Sequence, residues 1–220
     1  MKSMTDAAEI SSPPNVLLSG INGSTAYGLA TEDSDVDRIG CYASSTIAFD
    51  GLHPPTGKAA TWVSTKPDAT YHEAGKLASL LLKANPTVTE LIWLQDYEVM
   101  TPEGEALVAI RRSFLSATAC RNAYLGYAEG QFKRLENRGD GSFSADTRKR
   151  TAKHARHLWR LVSQCGQLWG DGVLTVRLDG DDAMHCRQFG ERVAAGDLDV
   201  ARQLLHNAEC VLEATPSALP

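Results

Sequence analysis

Two aspartates separated by a single residue carry the clearest chemical signal in the sequence. Asp35 and Asp37 flank Val36 in a segment that we predict to be a strand, so both carboxylates should lie on one face while Val36 points into the core. Adjacent carboxylates repel each other, and a divalent cation relieves that repulsion. Magnesium, a hard ion that binds a few carboxylates together with substrate phosphates, is the predicted ligand.

A glycine and a serine precede this acidic pair. Gly23 and Ser24 lie on the predicted turn between a strand and a short helix. Glycine permits close backbone approach, and exposed amides at such a turn can hold a phosphate. The pattern therefore predicts a phosphate site beside a metal site. An acidic surface turn, in which Gly23 serves only backbone geometry, is the alternative that this pattern alone leaves open.

Four basic residues share one face of a predicted helix late in the chain. Arg150, Lys153, His154 and His157 have the spacing i, i+3, i+4 and i+7, and Arg160 lies near the edge of the same band. Such a band could hold a triphosphate or a nucleic-acid backbone, because cations offset charge on a transferring phosphoryl group. A solvated helix face is the alternative. The histidines suit phosphate better than metal, because no Cys or further His has a zinc-like spacing.

Strands and helices in the first half of the chain must position the acidic pair and the turn. Apolar runs bounded by turn residues predict strands over residues 15–21, 35–43 and 61–65. One or two helical turns are expected over residues 26–30, and a loop over 49–58. Thr70 and Glu73 form a predicted capping box that opens a helix ending before Pro86. A second box, Thr87 to Glu90, predicts another helix start.

The second half of the chain is predicted to be helical. Thr101 has the features of an N-cap, and an apolar stripe marks the strongest helix, over residues 146–169. The stripe consists of Ala155, Leu158, Trp159, Val162 and Trp169. The predicted fold class is therefore α+β: a small mixed sheet with flanking helices, followed by a mainly helical C-terminal half. We predict a flexible tail over residues 1–14, a sheet domain over 15–98 and a helical domain over 99–220.

The composition is that of an ordinary globular chain, with 43% hydrophobic and 22% charged residues. A net charge of −5 argues against a broad, non-specific nucleic-acid surface and leaves room for a local basic site. We expect no membrane association and a cytoplasmic location, because neither a membrane span nor a signal peptide is evident. The scattered cysteines are predicted to be reduced packing residues.

Three segments together resemble the DNA polymerase beta-like nucleotidyltransferases, whose signature is a strand, a Gly-Ser turn, a helical turn and an Asp-x-Asp strand. The segments are GSTAYGLATEDSDVD at residues 23–37, DATYHEAGKLASLLLKANPTVTELIWL at 68–94 and KHARHLWRL at 153–161. Taken together, the three segments make the chain similar to the subfamily associated with RNA repair. The resemblance favours the metal and phosphate site over an acidic surface turn.

The resemblance implies transfer of a nucleoside monophosphate from a nucleoside triphosphate, ATP among them, to a hydroxyl, with pyrophosphate leaving. It implies two bound Mg²⁺ ions, with Mn²⁺ as an alternative, and a third acid on a neighbouring strand, which it places at Asp68. Asp68 could also be an ordinary turn residue after Pro67, and Glu73 is the reserve candidate, although it could serve only in the capping box. The implied metal and catalytic residues are Asp35, Asp37 and Asp68; the implied nucleotide contacts are Gly23, Ser24, Lys153, His154 and His157.

The acceptor hydroxyl is less well defined than the nucleotide. The resemblance suggests an RNA end, such as that of a tRNA under repair, while a protein or small-molecule hydroxyl stays open. A non-enzymatic nucleotide-binding or antitoxin-type module and a metal-dependent phosphohydrolase are the competing classes. A binding module is disfavoured, because an inactive site has no physical reason to keep three acids clustered.

Overall fold

The computed structural model describes residues 12–32, 34–137 and 145–220. Most of the predicted tail over residues 1–14 and Asp33 of the acidic segment lie outside the described residues. The described chain has the predicted architecture, a mixed sheet with short helices followed by a mainly helical region. The strands are β1 (Val16–Asn22), β2 (Asp37–Tyr42), β3 (Thr61–Thr65), β4 (Asp68–Glu73) and β5 (Val99–Met100).

The sheet has the strand order β3-β4-β2-β1-β5. β1 and β2 are antiparallel, with Asn22 opposite Asp37, whereas β2 and β4 are parallel, with Arg38 opposite Ala69. The C-terminal end of β1 and the N-terminal ends of β2 and β4 therefore lie at the same end of the sheet. We call this end, where these strand ends meet, the sheet edge. This register places Asp37 and Asp68 at the first positions of two neighbouring strands.

Short helices flank the sheet, and longer helices follow it. The short ones are α1 (Gly23–Ala26), α2 (Thr46–Phe49), α3 (Ala74–Leu82), α4 (Pro86–Leu91) and α5 (Pro102–Ala109), followed by a 3-10 turn (Arg111–Phe114). The longer ones are α6 (Ala117–Glu136), α7 (Ala145–Asp171), α8 (Gly180–Ala194) and α9 (Leu198–Ala214). The N-cap at Thr101 is confirmed, because its side chain accepts a hydrogen bond from the amide of Gly104.

The capping box predicted at Thr70 is wrong. Thr70 lies within β4, and α3 begins only at Ala74. The N-cap is Glu73, whose carboxylate accepts a 2.7 Å hydrogen bond from the amide of Gly75. Burial alternates along β4, with Ala69, Tyr71 and Glu73 buried. This two-residue period belongs to a strand that pairs on both sides, and it outweighs the local capping pattern.

Two further local predictions also fail at element boundaries. β2 begins at Asp37, so Asp35 precedes the strand and Val36 is 42% exposed rather than buried in the core. β1 turns into α1 after Asn22, which leaves the residues before Asp37 without an opposite strand. Asn85, and not Thr87, caps α4: its Oδ1 accepts a 3.2 Å hydrogen bond from the amide of Val88.

One connected core extends through the sheet and the helical region. It includes Leu18 and Ile39 from the sheet and Leu212 from α9. The predicted stripe on α7 belongs to this core: Ala155 and Leu158 are buried, and its remaining members are partly buried against the core. The cysteines are free thiols, all of them buried except Cys210. The boundary between residues 98 and 99 stays a prediction. Among the described helices, none is long and apolar enough to cross a membrane.

The revised start of α3 makes a prediction about stability. Glu73→Ala removes the side chain that caps the helix, so we expect the free energy of unfolding to fall by about 1–2 kcal/mol. Thr70→Val keeps a β-branched residue in a strand and should change the free energy of unfolding by less than about 0.5 kcal/mol. Urea unfolding of the two variants measures both values. Equal losses would instead support a capping box that includes Thr70.

Candidate active site

The carboxylates at the edge of the sheet are brought together to different degrees. Asp37 is half-buried at the start of β2, Asp68 begins the neighbouring strand, and Asp35 is exposed just before β2. Burial raises the pKa of Asp37, and the Asp68 carboxylate raises it further. The Lys153 ammonium lowers this pKa in part, and Asp35 adds a smaller rise. The register of β2 and β4 places Asp37 beside Asp68, and the Lys153 ammonium lies within electrostatic range of Asp37.

Gly23 lies directly against the carboxylate of Asp37. Its φ of +68° falls in the left-handed region, and a Cβ at this position would lie 2.5 Å from Asp37 Oδ2. Both constraints make glycine the residue that fits. Asn22, the preceding residue, is 6% exposed, and its Oδ1 has no hydrogen-bond partner among the described residues. A polar turn with an uncommitted acceptor thus adjoins the acidic pair.

The turn itself is the single helical turn α1. Gly23 O accepts a 3.1 Å hydrogen bond from the amide of Tyr27, and Ser24 O accepts a 2.9 Å bond from the amide of Leu29. These bonds use carbonyl groups, whereas the first amides of a helical turn have no acceptor within it. Ser24 is half-buried. The predicted turn is therefore present immediately beside Asp37, and its role in phosphate binding stays a prediction.

An open cleft of about 670 Å³ adjoins these residues. Gly23, Asp37 and Asp68 line one side of it, whereas Ser24 and Asp35 do not contribute to its lining. Its other lining residues are Asn22, Tyr27, Arg38, Ile39, Thr70, His72, Lys76, Leu80, Asn85, Thr87 and Val88. The cleft is polar on the side that holds the carboxylates and large enough for a phosphorylated small molecule.

The basic residues predicted on α7 have different environments. Lys153 is exposed and close enough to Asp37 to lower its pKa. Nδ1 of His154 lies 2.8 Å from Gln131 Oε1. Burial lowers the pKa of His157 to about 4, and the nearby Arg160 and other cations lower it as well. His157 is therefore neutral at pH 7 and can donate a hydrogen bond to a phosphate without adding positive charge.

The other two basic side chains of α7 are already paired. Arg150 forms an exposed ion pair of 2.8 Å with Asp146 on its own helix. Arg160 is only 4% exposed and pairs with Glu90, away from solvent. Of the predicted basic band, Lys153 is the member whose charge acts on Asp37, and Lys153, His154 and His157 all lie outside the lining of the cleft.

The donors at this edge suit a hard divalent cation. Within the described ranges, no three His, Cys, Asp or Glu residues are grouped closely enough to hold one ion by themselves. The carboxylates of Asp37 and Asp68 are nevertheless adjacent, and Asn22 supplies an uncommitted amide oxygen nearby. Oxygen donors of this kind bind Mg²⁺ when substrate oxygens and water complete the shell. Glu73 lies at the opposite end of β4 and caps α3.

Comparison with protein families gives a result consistent with this site. Residues 2–176 match the model RlaP, described as the RNA repair pathway DNA polymerase beta family. The chain belongs to this family. A search of curated proteins found no match. The match includes the whole described sheet and α7, while α8 and α9 lie beyond it.

Several residues around the RlaP cleft were not predicted from the sequence. Thr70 and His72 line it together with Asp68, and Lys76 approaches from α3. Burial lowers the pKa of His72, and the Lys76 ammonium lowers it further. The sequence does contain a signal for these cleft residues. Asp68, Thr70 and His72 are spaced two apart, so they share one face of a strand. Assigning Thr70 to a helix cap concealed that face.

The charge environment of Asp37 predicts a pH dependence of stability in this RlaP family member. An acid whose pKa is raised by folding binds its proton more tightly in the folded chain, so stability falls as pH rises from about 3.8 through the raised pKa. Asparagine does not ionise, so Asp37→Asn removes this fall in stability with rising pH. Without divalent cations, we expect the variant to gain stability relative to the parent chain between pH 3.5 and pH 7.

Urea unfolding at several pH values checks this expectation. Asp50→Asn is the matched control, because Asp50 is exposed at the end of α2 and remote from the sheet edge. It should show no comparable gain. A stability difference between the parent chain and Asp37→Asn that stays constant across the pH range would show that the Asp37 charge carries no folding cost.

Proposed function

We propose that this RlaP family member is a metal-dependent nucleotidyltransferase that moves a nucleoside monophosphate from a nucleoside triphosphate to a hydroxyl. The proposal is carried by one observation: at one sheet edge, the backbone of Gly23 adjoins Asp37, which lies beside Asp68 and within electrostatic range of Lys153. Phosphate-binding amides, carboxylates and a cation are the groups that nucleotidyl transfer requires.

The proposed reaction is an in-line displacement at the α-phosphorus. The acceptor oxygen forms a bond to that phosphorus, the bond to the oxygen bridging the α- and β-phosphates breaks, and pyrophosphate leaves with the bond electrons. Asp68 is the proposed acceptor of the hydroxyl proton. Asp35, Asp37 and Asp68 would hold Mg²⁺, or Mn²⁺ as an alternative. A metal held there would lower the pKa of the attacking hydroxyl and offset phosphate charge.

Phosphate contacts are proposed from both halves of the chain. Gly23 and Ser24 would position the leaving phosphates through backbone amides. Lys153 supplies a positive charge on the facing helix, and His154 and His157 would donate hydrogen bonds. Because its pKa is lowered to about 4, His157 would contribute a neutral hydrogen bond. Positive charge near the triphosphate would then come from the metal, from Lys153 and from Arg38 and Lys76, which line the cleft.

For the acceptor we propose an RNA end, with tRNA as one candidate, in line with the description of the family. A net charge of −5 restricts RNA contact to a local surface near the basic face of α7, because broad phosphate binding requires an excess of Lys and Arg. A protein or small-molecule hydroxyl is the competing acceptor, and the assay below separates an RNA acceptor from a protein acceptor.

The test follows label from the α-phosphate of each nucleoside triphosphate. The full chain is incubated with Mg²⁺ and total RNA, or with total protein, and labelled macromolecules are quantified. We expect label in RNA with the parent chain and a loss of at least about a hundredfold in Asp37→Asn and Asp68→Asn, because each removes a charge from the reacting centre. Asp35→Asn should lose activity as well, since Asp35 would share the metal. Asp50→Asn should match the parent.

The products distinguish the competing functions. Label in the protein fraction would change the acceptor while keeping the transfer chemistry. Release of free nucleoside monophosphate without a labelled acceptor would identify a phosphohydrolase. Binding of the nucleotide with neither transfer nor hydrolysis, for every acceptor offered, would favour a nucleotide-binding or antitoxin-type module and contradict the proposal.

A further inference from the structure

The turn that follows β1 is held by contacts from distant parts of the chain. The Tyr27 hydroxyl donates a 2.8 Å hydrogen bond to Glu90 Oε2 on α4. The carbonyl of Tyr27 accepts a 3.1 Å bond from the amide of Leu178, and the carbonyl of Gly28 accepts a 2.9 Å bond from the Arg187 guanidinium on α8. Residues beyond the part matched to the family therefore fasten the turn.

Glu90 is the centre of a buried polar cluster behind this turn. Its carboxylate pairs with Arg160 and accepts a 2.8 Å hydrogen bond from Gln164 Nε2, both on α7. Glu90 and Arg160 are 2% and 4% exposed. The guanidinium carbon of Arg160 lies 3.0 Å from the ring centroid of Tyr27. Tyr27 is therefore held by a hydrogen bond at its hydroxyl and by a cation over its ring.

Burial and the Glu90 carboxylate both raise the pKa of Tyr27, so its hydroxyl keeps its proton at neutral pH and donates to Glu90. Stability alone explains this cluster poorly. Removing charged groups from water is costly, and apolar residues of similar volume often replace a buried ion pair without loss. The charged cluster instead provides directional hydrogen bonds, which fix the relative positions of the groups that they join.

The cluster connects two parts of the proposed active site. Tyr27 ends the turn that begins at Gly23, and its own amide bonds to Gly23 O. Arg160 lies seven residues after Lys153 on α7, so the two side chains share one helix face two turns apart. An ion pair that fixes Arg160 against Glu90 and Tyr27 thereby holds the α7 backbone that carries Lys153 at a fixed distance from the turn.

We propose that Tyr27, Glu90 and Arg160 are positioning residues that hold Gly23 against Asp37 and set the turn at a fixed distance from Lys153. We call these three residues the turn clamp. Its role in binding a nucleotide rests on the proposed function, whereas its role in ordering the turn does not. The turn clamp touches neither phosphate nor acceptor; it acts through the backbone of residues 23–28.

Tyr27→Phe tests the turn clamp with a minimal change. It keeps the ring beneath the Arg160 guanidinium and removes only the hydroxyl that bonds to Glu90. In the full chain, we expect amide hydrogen exchange in residues 23–28 to accelerate about tenfold. We also expect the dissociation constant of a non-hydrolysable ATP analogue, measured by calorimetry with Mg²⁺, to rise about tenfold.

Two further substitutions separate positioning from a general loss of stability. Tyr71→Phe makes the same change at a buried tyrosine on β4 that packs in a separate cluster with Tyr42 and Ala69; it should alter neither measurement. Arg187→Ala removes the bond to the Gly28 carbonyl from an exposed side chain and should also accelerate exchange in residues 23–28. Arg187→Lys should restore part of the protection.

The outcomes distinguish this inference from the proposed function. If the parent chain fails to bind the analogue but Tyr27→Phe still accelerates exchange of the turn, nucleotide binding is refuted and the turn clamp stands. If the parent chain binds the analogue and Tyr27→Phe leaves exchange unchanged, the turn clamp is refuted, whatever happens to affinity. Equal effects of Tyr27→Phe and Tyr71→Phe would likewise refute it, because they would indicate a general loss of stability.

Discussion

The register of β2 against both of its neighbours is the constraint on which the rest of the structure depends. Antiparallel pairing with β1 brings Asn22 opposite Asp37, and parallel pairing with β4 brings Asp68 beside it. A shift of one residue would turn every β2 side chain to the other face of the sheet. The sheet therefore holds two carboxylates close together against their repulsion, and this repulsion adds to the rise in pKa that burial gives Asp37.

The core beneath the sheet resists that repulsion. Leu18, Ile39 and Cys41 are buried in the cluster that continues into the helices, so separating β2 from its neighbours would expose apolar surface. Lys153 offsets part of the charge from the opposite side. The sheet edge thus resembles other charged sites in which local repulsion is tolerated because the surrounding packing is extensive.

Sequence patterns predicted those parts of the site in which one residue has one local role. Gly23 was predicted because a tight turn needs glycine, and Asp37 because a carboxylate pair is conspicuous. Val36 was assigned to the core incorrectly because the first residue of β2 depends on where β1 turns away, which is a tertiary property. Thr70 was misassigned because a capping pattern and a strand pattern overlap in the same four residues, and pairing on both sides of β4 decides between them. The pairing of Glu90 with Arg160 spans 70 residues, and no local pattern indicates it.

Two polar centres of opposite character therefore meet at α1. On the side of the cleft, Asp37 and Asp68 carry like charges in partial contact with solvent, an arrangement that a cation would stabilise. Behind the turn, Glu90 and Arg160 are oppositely charged, buried and paired. The first centre carries negative charge that a bound cation would neutralise. The second centre pairs its charges internally and is rigid. A reactive edge needs such a rigid support, because an error of a fraction of an ångström in the turn would misplace any bound phosphate.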